Sequence, residues 1–423
     1  MRAIVLFIIV FGLLPICFTQ PWIGMLVFSW LGYMNPHRFS WGAATNFPFA
    51  EIVAIAVLAG YLFTQDKDRF HMERETVFII ILWILFTLTS FTAFDPSVSW
   101  LMWQKTSKVL LMVLITLPLI NNKDKLRYLV LVIAFSLGLL GLKGAIFSIL
   151  TGGVHNVRGP DNSFIGGEGD FSLALNMTLP ILFFQARNES KKWLKWSLYI
   201  CFLGSIISVI FTFRRGGFLA LAVVIFLLLL KSKRRFIAGI LVAVAIFSAP
   251  YFITEKWFGR METIETYEED ASAMGRINAW KMAWNIALDR PWIGGGFDTY
   301  LTVYRIKYMP SPDAIMAGDV HSIYFEVLQE HGFIAFGFFM ALLLSVLVSM
   351  QKLKWQFKNI KSCSWICNYA DMLQVSILAY MAGGAFLGRA YFDLFYHLVI
   401  ISVLLKVFAR KELEKISESE IPS

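Results

Sequence analysis

The 423-residue chain is 57% hydrophobic and 16% charged, with 39 Phe, 14 Trp and 14 Tyr and a formal net charge of +9. Soluble domains carry about 25% charged residues, so this composition excludes a soluble enzyme, a disordered chain and a secreted disulfide scaffold. The apolar stretches do not alternate with polar residues, which predicts an all-α polytopic membrane protein rather than a β-barrel.

In chain order the apolar runs fall at 3–34, 48–64, 76–93, 104–120, 127–150, 170–187, 194–213, 216–230, 235–253, 333–351, 370–387 and 391–408. Lys and Arg gather in short loops between pairs of these runs. The loops are Lys67/Arg69/Arg74, Lys123/Lys125/Arg127, Arg187/Lys191/Lys192/Lys195, Lys231/Lys233/Arg234/Arg235, Lys352/Lys354/Lys358/Lys361 and Lys406/Arg410/Lys411/Lys415. This alternation marks the cytoplasmic side and explains the positive charge by topology, with no nucleic acid as partner. Pro15 and Gln20-Pro21 break the run 3–34. It reads either as one kinked span or as a hairpin, and Arg2 favours the single span with its start inside. Counted so, about twelve transmembrane helices leave both ends cytoplasmic. Residues 1–253 hold the first nine or ten of them, 254–332 form a large periplasmic loop, 333–408 hold the C-terminal spans, and 409–423 form a cytoplasmic tail. Cys17 and Cys201 lie inside apolar runs, and Cys363 and Cys367 have no His or further Cys nearby, so no disulfide framework or thiolate metal site is expected.

The large loop has its own pattern. Glu262, Glu265, Glu268, Glu269 and Asp270 form an acidic, solvated stretch. A helix over Arg276–Asp289 sets Ile277, Trp280, Trp284 and Leu288 on one face, and Pro291 with Gly294-Gly295-Gly296 ends it. A second short helix, His321–His331, ends at Gly332, a good residue just past a helix terminus. These helices either lie on the membrane surface or roof a site.

The chemistry is expected where cations fall on the outer side. The tight turn Thr212-Phe-Arg-Arg-Gly-Gly-Phe218 carries Arg214 and Arg215 between two apolar helices. An arginine at membrane depth costs at least ~2.5–3.5 kcal/mol unless something offsets it. Gly216 and Gly217 let a backbone or a phosphate approach closely. Arg158, Arg276, Arg305 and Arg389 lie on the same side, and arginine suits bidentate phosphate recognition. The bland alternative for each is snorkelling to lipid headgroups. Among the six histidines, His37 and His71 read as loop residues, His155 and His331 as solvated, and His397 as a packed polar group. His321 differs: it starts the outer helix, shares a face with Phe325 and Leu328, and a helix N-terminus keeps it neutral, as a general base requires. Glu168-Gly-Asp170 and Asp66-Lys-Asp68 are spaced like ligands of a divalent cation, but such short patterns are common, so neither a metal nor a cofactor is expected.

These residues resemble the O-antigen ligase and polymerase superfamily over most of the chain. Arg215 to Leu219 fits an Arg-x-x-x-Leu pattern in a short outer loop. His321-Ser322, nine residues and Gly332 fit a second pattern at the end of the large loop, whose last position departs as Ala335. The stretch Arg276 … Trp284 … Pro291-Trp-Ile-Gly-Gly-Gly296-Phe is also similar. Tyr33-Met-Asn-Pro-His-Arg38 and Phe47-Pro-Phe-Ala50 resemble a branch of O-glycosylation ligases associated with exosortase systems. The resemblance implies a C-type membrane glycosyltransferase in the bacterial inner membrane, with its site facing the periplasm. The donor is then a glycan on undecaprenyl pyrophosphate and the acceptor is lipid A–core; the reaction is inverting and metal-independent. His321 and Arg215 become catalytic, Arg158, Arg214, Arg276 and Arg389 bind the pyrophosphate, and Arg305 contacts substrate. A polymerase or protein O-oligosaccharyltransferase of the same superfamily remains the alternative. A transporter or flippase is a third reading, with Glu51, Lys143, Asp371 and Asp393 lining a path.

Overall fold

The structure is a computed structural model that describes residues 2–231, 271–301, 303–311 and 314–419. They fold into helices, with no strand among the described residues. In chain order these are α1 (Arg2–Thr19), α2 (Pro21–Met34), α3 (Phe49–Phe63), α4 (Arg74–Phe91), α5 (Pro96–Leu119), α6 (Lys123–Leu150), α7 (Glu168–Asn188), α8 (Lys192–Ile210) and α9 (Arg215–Lys231). After the undescribed stretch come α10 (Ala271–Asp289), α11 (Ile323–Phe357), α12 (Ser364–Gly384) and α13 (Asp393–Ser419). Five of them, α1, α4, α6, α8 and α11, are long and apolar enough to cross a bilayer, which identifies a multi-pass membrane protein. The predicted span 235–253 and the acidic stretch Glu262–Asp270 lie outside the described residues.

Helix α7 is the axis of the bundle. Its residues from Phe171 to Leu182 are buried, although the stretch includes Ser172, Asn176 and Thr178. Small residues let the neighbouring helices close up, as van der Waals packing in a bilayer demands. Gly138, Gly141 and Gly144 of α6 face Cys201, Ser205 and Ser208 of α8, and Ser208 Oγ donates to Gly141 O at 2.5 Å.

The predicted basic loops meet at one end of the bundle. Lys125 pairs with Asp66 at 2.8 Å, Arg127 with Glu189 at 2.5 Å, Lys354 with Asp371 at 2.7 Å and Lys411 with Asp68 at 2.6 Å. The opposite end is closed by loops that bond each other. Phe94 N donates to Gly295 O at 2.7 Å and Val157 N to Phe211 O at 2.9 Å.

Three expectations change. Residues 3–34 form a hairpin, not one kinked span. Phe7 of α1 packs on Phe49 at the start of α3 and Phe18 on Phe63 at its end, so α1 runs parallel to α3. In α2, Pro21 lies against Gly60 and Gly24 against Val57, so α2 runs antiparallel to both. Gln20 leaves the helical region, with φ −127° and ψ 77°, and Pro21 opens α2. Gly24 and Gly60 admit the close approach that the turn needs. Arg2 therefore sits at the end opposite the basic loops. Second, the predicted tail is helical as far as described: α13 continues to Ser419. Third, α10 forms as predicted, but of its predicted apolar face Trp280 packs inward and the rest of the buried surface comes from other positions. Ala279, Met282, Ala283 and Ile286 are buried against Tyr300, Tyr308 and Val320, while Trp284 and Leu288 are exposed. The alanines allow a closer approach than the large residues would.

Helix α11 is broken. Gly332 has φ 73° and ψ −175°, a conformation open to glycine alone at this cost. The break frees backbone groups that the triglycine loop takes up: Gly295 N donates to Gln329 O, Gly296 N to Glu330 O and Phe333 N to Pro291 O, each at 2.8 Å. The predicted short helix and the predicted span are thus the two halves of α11.

Candidate active site

Each chemistry-bearing side chain comes from the end of a helix or the turn before it. The turn between α8 and α9 puts Arg214 just ahead of α9 and Arg215 at its first position. Phe213 takes a left-handed backbone with φ 52°, and so does His321 with φ 48°. Non-glycine residues in that region cost about 1–3 kcal/mol and cluster at functional sites. Arg276 comes from the first turns of α10, Arg389 from the turn between α12 and α13, and Glu168 and Asp170 from the first turn of α7.

These residues converge on one cavity of about 490 Å³, with Arg214, Arg215, Arg276, Arg389 and His321 in its wall beside Glu168, Asp170 and Asp319. The cavity opens at the end of the bundle away from the basic loops. Four guanidiniums face three carboxylates, so the cavity keeps a positive balance. The backbone N–H groups at the start of α9 add the partial positive charge of a helix N-terminus, which favours phosphate.

Arg214 and Arg389, both expected to hold pyrophosphate, are bonded to carboxylates of α7. Arg214 bonds Glu168 at 2.8 Å, and Arg389 grips Asp170 through Nε at 2.8 Å and Nη2 at 2.7 Å. The partial burial of Glu168 acts to raise its pKa, but the Arg214 guanidinium outweighs it and holds the carboxyl below the usual range. The pair read as possible metal ligands is thus bonded to arginine. Gly216 and Gly217 line the cavity and also serve packing. A Cβ at Gly216 would press on Phe386, and one at Gly217 on Ser172.

His321 lies two residues before α11, not in its first turn. Its Nδ1 stands 3.7 Å from Asp319 Oδ2. Burial pushes the imidazole below its ordinary pKa of 6.5; Asp319 acts to raise it, and Arg276 and Arg214 to lower it. The neutral form expected from a helix N-terminus therefore has burial as its main cause. Phe325 stacks on Trp280 at 5.4 Å between ring centroids, and Leu328 is buried, so that face of the helix is packed against protein.

Other expectations separate from the site. Arg158 lies outside this cavity and lines a neighbouring one. Arg305 falls in a short 3-10 helix, Val303–Tyr308, and its side chain is outside the described set. His331 is not solvated: it is fully buried, with Nδ1 2.6 Å from Thr89 Oγ1 and its ring between Phe86 and Phe297. His397 is packed as expected, 2.6 Å from Tyr33 Oη. The four residues of the transport reading form no path. Glu51 pairs with Lys108, Asp371 with Lys231 and Lys354, Lys143 stands over Phe39, and Asp393 borders a small cavity with His397. Asp319, Phe386 and Leu387 line the main cavity but carry no sequence pattern that marks them.

Residues 200–340 match the family model described as O-antigen ligase. That stretch is similar to O-antigen ligases. It supplies Arg214, Arg215, Arg276 and His321. Residues 1–190 match a second model, a family of unknown function (DUF5935), which supplies Glu168 and Asp170. Arg389 lies beyond both matches. No curated protein matches the chain. The match to the ligase model supports a role within the O-antigen ligase and polymerase superfamily and a membrane glycosyltransferase-like activity.

Proposed function

We propose that the protein is an O-antigen ligase of the bacterial inner membrane. It transfers a glycan from undecaprenyl pyrophosphate to a hydroxyl of lipid A–core at the periplasmic face. The observation that carries this reading is the single cavity that gathers Arg215, Arg276 and His321 at the end of the bundle away from the cationic loops. By the distribution of Lys and Arg, that end is periplasmic. Residues 254–332 are then the periplasmic loop, from which Arg276, Asp319 and His321 line the cavity. The hairpin of α1 and α2 puts Arg2 on this face, and α13, whose Lys411 pairs with Asp68 of the first basic loop, ends on the cytoplasmic one.

Pyrophosphate leaves readily once fixed cations hold its developing charge. Arg215 and Arg276 supply that charge, with the α9 N-terminus behind them. Arg214 and Arg389, tied to Glu168 and Asp170, fix the shape of the cavity and contribute from its edge. Neutral His321 takes the proton from the acceptor hydroxyl as that oxygen attacks the anomeric carbon opposite the leaving pyrophosphate, so the configuration inverts. The imidazolium that forms is stabilised by Asp319.

The test is incubation of purified protein with lipid-linked glycan and one of three partners: lipid A–core, an acceptor peptide, or donor alone. Glycan on lipid A–core supports the ligase. Glycan on the peptide, or longer lipid-linked glycan without acceptor, replaces it with the protein-transferase or polymerase reading. No transfer in any arm overturns the reaction class.

A further inference from the structure

A second cavity of about 510 Å³ adjoins the first, and Glu168 lines both. Its wall combines Lys143 and Arg158 with Phe39, Leu140 and Phe147. The local packing explains the juxtaposition. Gly144 on α6 is small enough for Val157 to sit against it, and Val157 N donates to Phe211 O at 2.9 Å. That seats the loop between α6 and α7 on the helix and brings Arg158 to the cavity that Lys143 borders.

The two cavities differ in charge compensation. In the first, Arg214 and Arg389 each have a carboxylate partner. In the second, neither Lys143 nor Arg158 has one among the described residues. Lys143 Nζ stands 3.8 Å over the Phe39 ring, and the shared Glu168 bonds Arg214 instead. The flank is apolar and outward-facing: Phe147, Ile149 and Leu150 of α6 are exposed, as on a surface that lipid covers. Lys143 lies seven residues short of Leu150, about 10 Å along the helix at 1.5 Å per residue. Lys143 at that depth and Arg158 on the exposed loop beside it, neither paired with a carboxylate among the described residues, match an anionic head on an apolar body.

We propose that this cavity is a second anion subsite, which holds the phosphate of an amphiphile whose apolar part lies along α6. The occupant is the acceptor of the transfer reaction; that assignment rests on the transferase reading of the first cavity, whereas phosphate binding does not.

The test titrates the purified full-length protein with dihexanoyl phosphatidate, inorganic phosphate and dihexanoylglycerol by calorimetry. Phosphatidate binds, and the double variant Lys143→Gln/Arg158→Gln weakens it by about tenfold or more. The swap Lys143→Arg/Arg158→Lys keeps most of the affinity, which separates lost charge from lost fold, and Arg215→Ala leaves it unchanged. Full affinity in the Gln double variant, or an equal loss in Arg215→Ala, overturns the subsite. Inorganic phosphate binding as tightly as phosphatidate removes the amphiphile, and the neutral glyceride binding as tightly removes the anion; either result overturns the proposal as stated. In transfer assays the Gln double variant raises the acceptor KM and leaves the donor KM unchanged. A rise in donor KM alone overturns the acceptor assignment. If wild-type protein transfers nothing yet binds phosphatidate through Lys143 and Arg158, the transferase reading falls and the subsite stands.

Discussion

Arg389 and Asp170, 219 positions apart in sequence, form a two-bond guanidinium–carboxylate fork at the mouth of the cavity. Asp170 is 12% exposed and Arg389 35%, so water screens the pair only in part. Replacing Asp170 by Asn removes the charge and one good acceptor. Hydrogen bonds to charged groups contribute roughly 1.5–3 kcal/mol, and the partial exposure of Arg389 puts the loss toward the lower end. Asp170→Asn is expected to lower the melting temperature and the transfer rate together. An unchanged melt with normal transfer would show that the pair does not shape the site.

Arg215→Ala is expected to abolish transfer while the protein still inserts and melts normally. Arg215→Lys should fail almost as fully, because Lys keeps the charge but not the planar fork. Glycan transfer at the wild-type rate by the Lys variant would mean that charge alone suffices.

For His321 the sign of the pH effect follows from its environment. Burial lowers its pKa below 6.5, and a base works only when neutral. The acid limb of the transfer profile should therefore lie below that of an ordinary histidine, with full activity on its alkaline side. His321→Ala should lose about 10²–10⁴-fold in rate, keep donor binding, and lose the acid limb of the profile. A limb that survives the substitution belongs to another group.

The sequence alone makes His331 solvated; the structure reverses that expectation. His331→Ala would empty a fully buried ring site and remove the bond to Thr89 Oγ1, which keeps its contacts with Leu85 O and Phe86 O. A cost of about 2–4 kcal/mol follows from the cavity and the lost bond. Thermal melting should show it, with transfer per folded molecule little changed. A specific loss of transfer at full stability would instead give His331 a role in the chemistry.

Orientation is open to impermeant thiol labelling in cells. Cysteines introduced near residues 3 and 160 should react from the periplasm, and those near 192 and 356 should stay protected. Protection near residue 3 with labelling near 160 would restore the single kinked span. Labelling of the opposite set would put the cavity on the wrong face.

Much of this was legible in the chain because charge and hydropathy act locally. The basic loops mark one end of the bundle, and the Arg214–Arg215 turn and His321 face the same cavity. What stayed hidden depends on contacts between distant segments. Glu168 and Asp170 look like a metal pair from their spacing, and only the fold shows arginines from two other turns bonded to them. The hairpin of α1 and α2 is equally opaque, because the alternation of basic loops is the same whichever way the first run is traversed. Helix α10 was readable as a helix but not in its packing, since periodicity favours large apolar residues while close contact favours Ala279 and Ala283.

The break at Gly332 also acts as a rotational buffer. In a continuous helix each inserted residue turns everything before it by roughly 100° relative to everything after, so a change in the membrane-crossing half of α11 would swing His321 away from its partners. Gln329 and Glu330 before the break and Phe333 after it are all bonded to the loop 291–296, so residues added further along the crossing half would change its length without turning the imidazole.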